Sequence, residues 1–134
     1  EPLKQECYQV SKRVLGAEHD RTLDRFNSWI VSVQKMGRRD EAAMLLQECY
    51  KLTKKIHGAK HPQTLVVLSN IASNLFARGR FVEGEPLLRE VFEERVSVLG
   101  RHHPKTQATF AWWQDVRSFI TSTAQEAQFV GYVG

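Results

Sequence analysis

Cysteine is scarce in this chain: 134 residues hold two, Cys7 and Cys49. That excludes a small scaffold held together by disulfides. Long apolar runs are absent as well. Segments such as 65–68 and 96–99 are short and flanked by polar residues, far below the roughly 20 residues that cross a bilayer. Neither sign of charge dominates, since 19 Lys and Arg stand against 15 Asp and Glu for a net charge of +4. The cations are scattered, with short clusters at Arg38-Arg39 and Lys54-Lys55, whereas nucleic-acid binders gather theirs on one face with motif support. Zinc-finger spacing, an RNP motif, a KH loop, a glycine-rich phosphate loop and a Gly-x-Ser-x-Gly turn are all missing. Glu1-Pro2-Leu3 offers neither an initiator Met nor a basic-then-apolar leader region, which leaves the compartment open.

What the chain has is a period. Gly16, Gly58 and Gly100 recur 42 residues apart, as do His19, His61 and His103, and Thr22, Thr64 and Thr106. A fixed repeat of this length marks an array of identical supersecondary units. The two cysteines follow it too, occupying one position in successive units. Equivalent atoms of stacked helices lie about 8–10 Å apart, and a disulfide needs Cα atoms within about 7 Å. Free, buried thiols acting as small apolar residues are therefore expected.

Each unit reads as two helices. In the middle copy His61-Pro62-Gln63-Thr64 opens the first, since Pro is tolerated in a first turn. Leu65, Leu68, Ile71, Ala72 and Leu75 then form one stripe. Arg78-Gly79-Arg80 ends it, and a second helix over 81–98 carries Leu87, Leu88, Val91 and Phe92 on one face. The preceding copy repeats the scheme over 20–35 and 40–56, with Leu23, Phe26, Trp29, Ile30 and Val33 on its first stripe. Leu45, Leu46, Cys49 and Tyr50 lie on its second stripe. Asp20 replaces the Pro as a helix-start residue. The fold class is all-α, a solenoid of antiparallel helix pairs.

The ends differ. Glu1-Pro2-Leu3 aligns with Glu85-Pro86-Leu87, so residues 1–16 read as the second helix of a repeat whose first helix is not included. That pattern is expected of a longer array or a larger assembly. Repeats follow at 17–58 and 59–100, and 101–120 reads as a terminal first helix with Phe110, Trp113, Val116 and Ile120 inward. Gln114 and Arg117 replace its expected apolar residues, and Thr121 stands where Gly37 and Gly79 stood. Residues 121–134 read as a tail whose Phe129, Val130 and Tyr132 dock on a partner or on the last helix.

The string from Asn70 to Leu88, with Ala77-Arg78-Gly79-Arg80-Phe81 at its centre, strongly resembles a tetratricopeptide repeat. The 42-residue period with its LG…HP…T link is similar to the variant found in kinesin light chains and in the repeat arrays of many nucleotide-binding sensor proteins. The resemblance covers about residues 1–120. It implies a right-handed superhelix, protein partners, no cofactor, no metal and no catalysis, with a cytoplasmic default. Gly84 departs from the usual Ala, and Trp112-Trp113 from the usual Asn-Leu.

In that family the first helices line a concave groove for an extended peptide or a partner helix. The positions so implied are Asp24, Asn27, Ser28, Val31, Gln34 and Lys35, then Val66, Ser69, Asn70, Ser73, Phe76 and Ala77. The last helix adds Ala108, Ala111, Trp112, Asp115 and Phe119. Asn70 is the sharpest candidate, because its amide both donates to and accepts from a peptide backbone; the alternative is that it bridges helices. Trp112 and Phe119 offer the flat apolar area of interface anchors, with packing against the tail as the alternative for Trp112. Trp29, Ile71 and Trp113 share a core register.

The periodic histidines cannot converge on one ion, whose ligands sit about 2.0–2.1 Å away; they are expected to bond nearby backbone. His57 reads as a tolerated boundary substitution, and Glu83, Glu85, Glu93 and Glu94 as solvated exterior carboxylates. Three functions are open: a scaffold binding a peptide or helix, an accessory subunit built permanently among neighbouring subunits, and a helical-repeat RNA binder. Asp24 and Asp115 against Lys35 in the groove set weaken the third.

Overall fold

A computed structural model describes residues 2–133, with side chains up to Ala124. Six helices follow one another: α1 (Pro2–Leu15), α2 (Asp20–Lys35), α3 (Arg39–His57), α4 (Pro62–Ala77), α5 (Phe81–Leu99) and α6 (Pro104–Val133). Each packs chiefly on its neighbours in sequence, the one-dimensional architecture expected of a solenoid. No described helix is long and apolar enough to cross a membrane.

The link between units is built the same way three times. His19, His61 and His103 each turn Nδ1 back to accept from the backbone amide two residues on, at 3.1 Å. The histidine thus takes the N-cap role usually filled by Ser, Thr, Asp or Asn. Asp20 sits inside the first turn and does not cap it. Before each histidine a glycine turns the chain; Gly58 does so at φ 89 and ψ 166, a conformation essentially reserved for Gly. The threonine that follows is buried in all three links. Thr22 Oγ1 donates to the Ser11 carbonyl at 3.3 Å and Thr106 Oγ1 to the Arg95 carbonyl at 3.4 Å, tying each unit to the helix before it. Thr64 Oγ1, the middle member, is buried without a partner.

Within a unit the two helices meet through a Schellman turn. Arg80 N donates to the Leu75 carbonyl (2.8 Å) and Gly79 N to that of Phe76 (3.0 Å), and Arg38 and Gly37 repeat the pattern on Val33 and Gln34. The stripes read from the sequence form the core, except that Phe110, read as inward, is exposed on α6, where no further described helix covers it. Phe26, Trp29, Ile30, Val33, Leu46, Cys49, Leu68, Ile71 and Val91 join one cluster, and Ala72, Leu88 and Val116 a second. On α1 and on α5 an aromatic packs onto the next first helix. Tyr8 stacks on Phe26 (4.4 Å) and Trp29 (5.5 Å), and Phe92 meets Phe110 (5.2 Å) and Trp113 (5.4 Å).

Four local readings change. Cys49 is buried but Cys7 is exposed, because no helix covers α1 on the side that α2 covers for α3. The α6 helix does not stop near Ile120 but runs on to Val133; no glycine is available there to reverse the chain. The side chains of Phe129, Val130 and Tyr132, read as docking residues, lie outside the described ones. His57 does more than tolerate its boundary position: Nε2 lies 2.9 Å from Asp20 Oδ1 and the ring stacks on His61 at 4.2 Å, joining successive links. Of the exterior carboxylates, Glu83 pairs with Arg80 as expected. Glu85 accepts instead from Trp113 Nε1 at 2.8 Å, and Glu94 Oε2 is buried without a partner.

Candidate functional site

The first helices α2 and α4 lie side by side because their units stack in register, and a polar recess of about 330 Å³ opens between them. Val31, Gln34 and Lys35 line it from α2, Asn70, Ser73 and Ala77 from α4, and Arg39 from the start of α3. Six of the sequence-derived positions thus come together, Ala77 among them. Register mapping misses Arg39, because it draws on first helices alone. A cation two residues past the turn glycine is the available signal.

Asn70 does bridge helices, and still keeps hydrogen-bonding capacity. Its Nδ2 donates to Asn27 Oδ1 across the α2–α4 seam at 3.3 Å. The pair uses one donor group and one acceptor, leaving an amide donor on Asn27 and a carbonyl oxygen on Asn70. These are the two functions that a peptide bond answers. Asp24 is engaged at the neighbouring seam, accepting from Gln63 Nε2 at 3.0 Å. Among the described residues no carboxylate lies in ion-pair range of Lys35 or Arg39, while Arg38, Arg78 and Arg80 each have one. The recess is therefore a cationic, amide-lined surface with both of its cations free.

The remaining predicted residues lie elsewhere. Ser69 Oγ is spent on the Val66 carbonyl at 2.8 Å. Phe76 is turned into packing, edge-on to Trp112 (5.5 Å) and stacked on Phe81 (5.6 Å). Asp115 is exposed on α6 away from the recess. Phe119 meets Phe81 at 4.6 Å and lines a separate cleft.

Stacked antiparallel helix pairs at a fixed period, with capped links and Schellman turns, define a helical-repeat solenoid. The family model of the tetratricopeptide repeat matches residues 29–93. The fold is similar to the crystal structure of a candidate kinesin light chain from Podosopora anserina with nearly identical TPR-like repeats, at 21% identity and a TM-score of 0.78. A singly substituted form of that protein gives 20% and 0.77. In both cases 98% of this chain is covered and 64% of the other, so the chain spans less than two thirds of their length. No curated protein matches the chain.

Proposed function

We propose that this chain is a non-catalytic protein-binding scaffold that holds an extended peptide along the α2–α4 face. The observation that carries the reading is that one recess brings Asn70, whose carbonyl oxygen stays free while its amide nitrogen bonds Asn27, together with two unpaired cations, Lys35 and Arg39. Amide groups recognise backbone whatever the sequence, and the cations select a carboxylate on the ligand. Tetratricopeptide repeats generally mediate protein–protein contacts, which supports the same reading. In the test, peptides enriched from a random twelve-residue library on the intact chain are measured by fluorescence anisotropy. Asn70→Ala should weaken them several-fold without loss of helix content by circular dichroism. Met44→Ala, on the exposed outer side of α3, should leave them unchanged. Equal affinity for the Asn70→Ala chain would sink the assignment.

A second reading, permanent incorporation among neighbouring subunits, is favoured by the end faces. Leu3, Val10 and Val14 on α1 are exposed, around a cavity of about 610 Å³. At the other end Phe110 is 41% exposed, where its register mates Phe26 and Leu68 are 1% and 4%. Sedimentation velocity separates the two: a free-standing scaffold is monomeric alone, and an obligate subunit self-associates.

A further inference from the structure

Scattered along the sequence, the cations are gathered by the fold. Antiparallel helices bring the three links, residues 12–21, 54–63 and 96–105, to one edge of the solenoid. The first two touch there: Lys55 Nζ lies 2.8 Å from Glu18 Oε1, and His57 Nε2 2.9 Å from Asp20 Oδ1. This edge holds eight of the 19 Lys and Arg but two of the 15 Asp and Glu, so the positive charge of the chain resides here and the remainder is net negative. Those two acids are the ones already engaged by Lys55 and His57. Among the described residues the other seven cations of the edge have no carboxylate in ion-pair range, and all seven are exposed.

Half of the eight have a local reason to be there. Lys12, Arg13, Lys54 and Lys55 stand in the last turns of α1 and α3, where a positive charge complements the helix dipole. The other four oppose it. Arg21 and Lys105 lie in the first turns of α2 and α6, and Lys60 and Arg101 just before α4 and α6, at ends where the dipole favours an anion. Neither α4 nor α6 has an acid in its first turn. Helix stability does not account for cations at these places, and an external anion does.

Two further features narrow the anion. No Phe, Tyr or Trp falls within the three link segments, so the edge has no platform for bases to stack on. It also presents helix ends rather than the helix face that enters a groove of duplex DNA. Val14 and Val98, which share a register in the last turns of α1 and α5, are exposed there instead, at 71% and 45%. Apolar side chains among cations gain from the headgroup–acyl boundary of a bilayer and gain nothing from a phosphate backbone. We propose that the link edge is a docking surface for an anionic phospholipid bilayer, with lipid headgroups on the seven unpaired cations and Val14 and Val98 at the boundary. The cations come from first helices, second helices and the links between them, which makes a patch with two dimensions, as a planar surface requires. The α2–α4 recess opens at the opposite ends of its helices, so the bilayer leaves it accessible.

The test is co-sedimentation of the intact chain with vesicles of phosphatidylcholine alone and with about 30% phosphatidylserine added. The chain should pellet only with the anionic vesicles, and less as salt rises from about 0.1 to 0.5 M. The triple variant Lys54→Glu, Lys60→Glu, Arg101→Glu should weaken that binding by about a hundredfold or more. An equal charge change placed off the edge, Lys4→Glu, Lys35→Glu, Arg89→Glu, should weaken it far less. All six residues are exposed, and thermal melting checks that both variants fold. Failure of the wild type to bind anionic vesicles overturns the proposal, and so does an equal loss in the two triple variants. A labelled RNA that binds through Lys54, Lys60 and Arg101 while vesicles do not overturns the bilayer and gives the edge to nucleic acid.

Discussion

At the scale of single residues, the period lets the chain serve as its own control. Thr22, Thr64 and Thr106 occupy one position, and only Thr64 keeps a buried hydroxyl without a partner. An unmet buried hydroxyl costs about 1–3 kcal/mol, and a made hydrogen bond contributes about 1 kcal/mol. Thr64→Val should therefore raise unfolding stability in urea by about 1 kcal/mol and Thr22→Val lower it by a similar amount. The same sign for both would refute the link geometry. The two thiols make a second matched pair. Burial pushes the Cys49 thiol up to about 11 from its ordinary 9.0, Glu48 adds to the shift, and the hydrogen bond to Thr53 partly opposes it. Cys7 is exposed. At pH 8 Ellman's reagent should titrate one thiol quickly and the second only on unfolding. Because the unfolded chain gives up the Cys49 proton first, this group's contribution to stability is whole below pH 9 and lost as the pH rises toward 11.

At the scale of elements, the packing of α4 on α5 rests on a matched exchange of volume between Phe76 and Gly84. A Cβ at Gly84 would lie 2.6 Å from Phe76 Cε1. Ala favours a helix interior over Gly by about 1 kcal/mol, but overpacking costs about 1–3 kcal/mol. The Phe76 ring is pinned by Phe81 and Trp112 and cannot swing away freely. Gly84→Ala should destabilise the chain by about 1 kcal/mol, and should stabilise it by a similar amount once Phe76 is Leu. A double-mutant cycle with no coupling would contradict the exchange. The helices themselves are plain in the sequence, because stripes of Leu, Ile, Val and aromatics at helical spacing and five positive-φ glycines mark where each begins and ends. Gly84 is legible as a departure from the repeat, but its reason is not, since the ring that fills the gap lies eight residues earlier on the facing helix. The continuous α6 is hidden for a related cause: a missing turn glycine signals that the repeat fails without saying what the chain does next.

Across the whole molecule, register carries the candidate site most of the way. It gives the α2 and α4 residues of the recess, because equivalent first-helix positions must share a face. It cannot show that Asn70 pairs with Asn27 across the seam, which depends on where two side chains 43 residues apart meet. Nor can it separate Phe76 and Trp112, which pack on each other, from residues left open at the surface. The array thus presents a polar, cationic step followed by an aromatic one, with uncovered apolar faces at either end. The central claim is that ligand lies along the first helices, and amide chemical-shift mapping of a library-selected peptide on the ¹⁵N-labelled chain tests it most directly. Shifts concentrated at Val31, Gln34, Lys35, Arg39, Asn70, Ser73 and Ala77 are the predicted result. Shifts confined to the outer face of α3 and α5, or to the exposed side of α1, would contradict it.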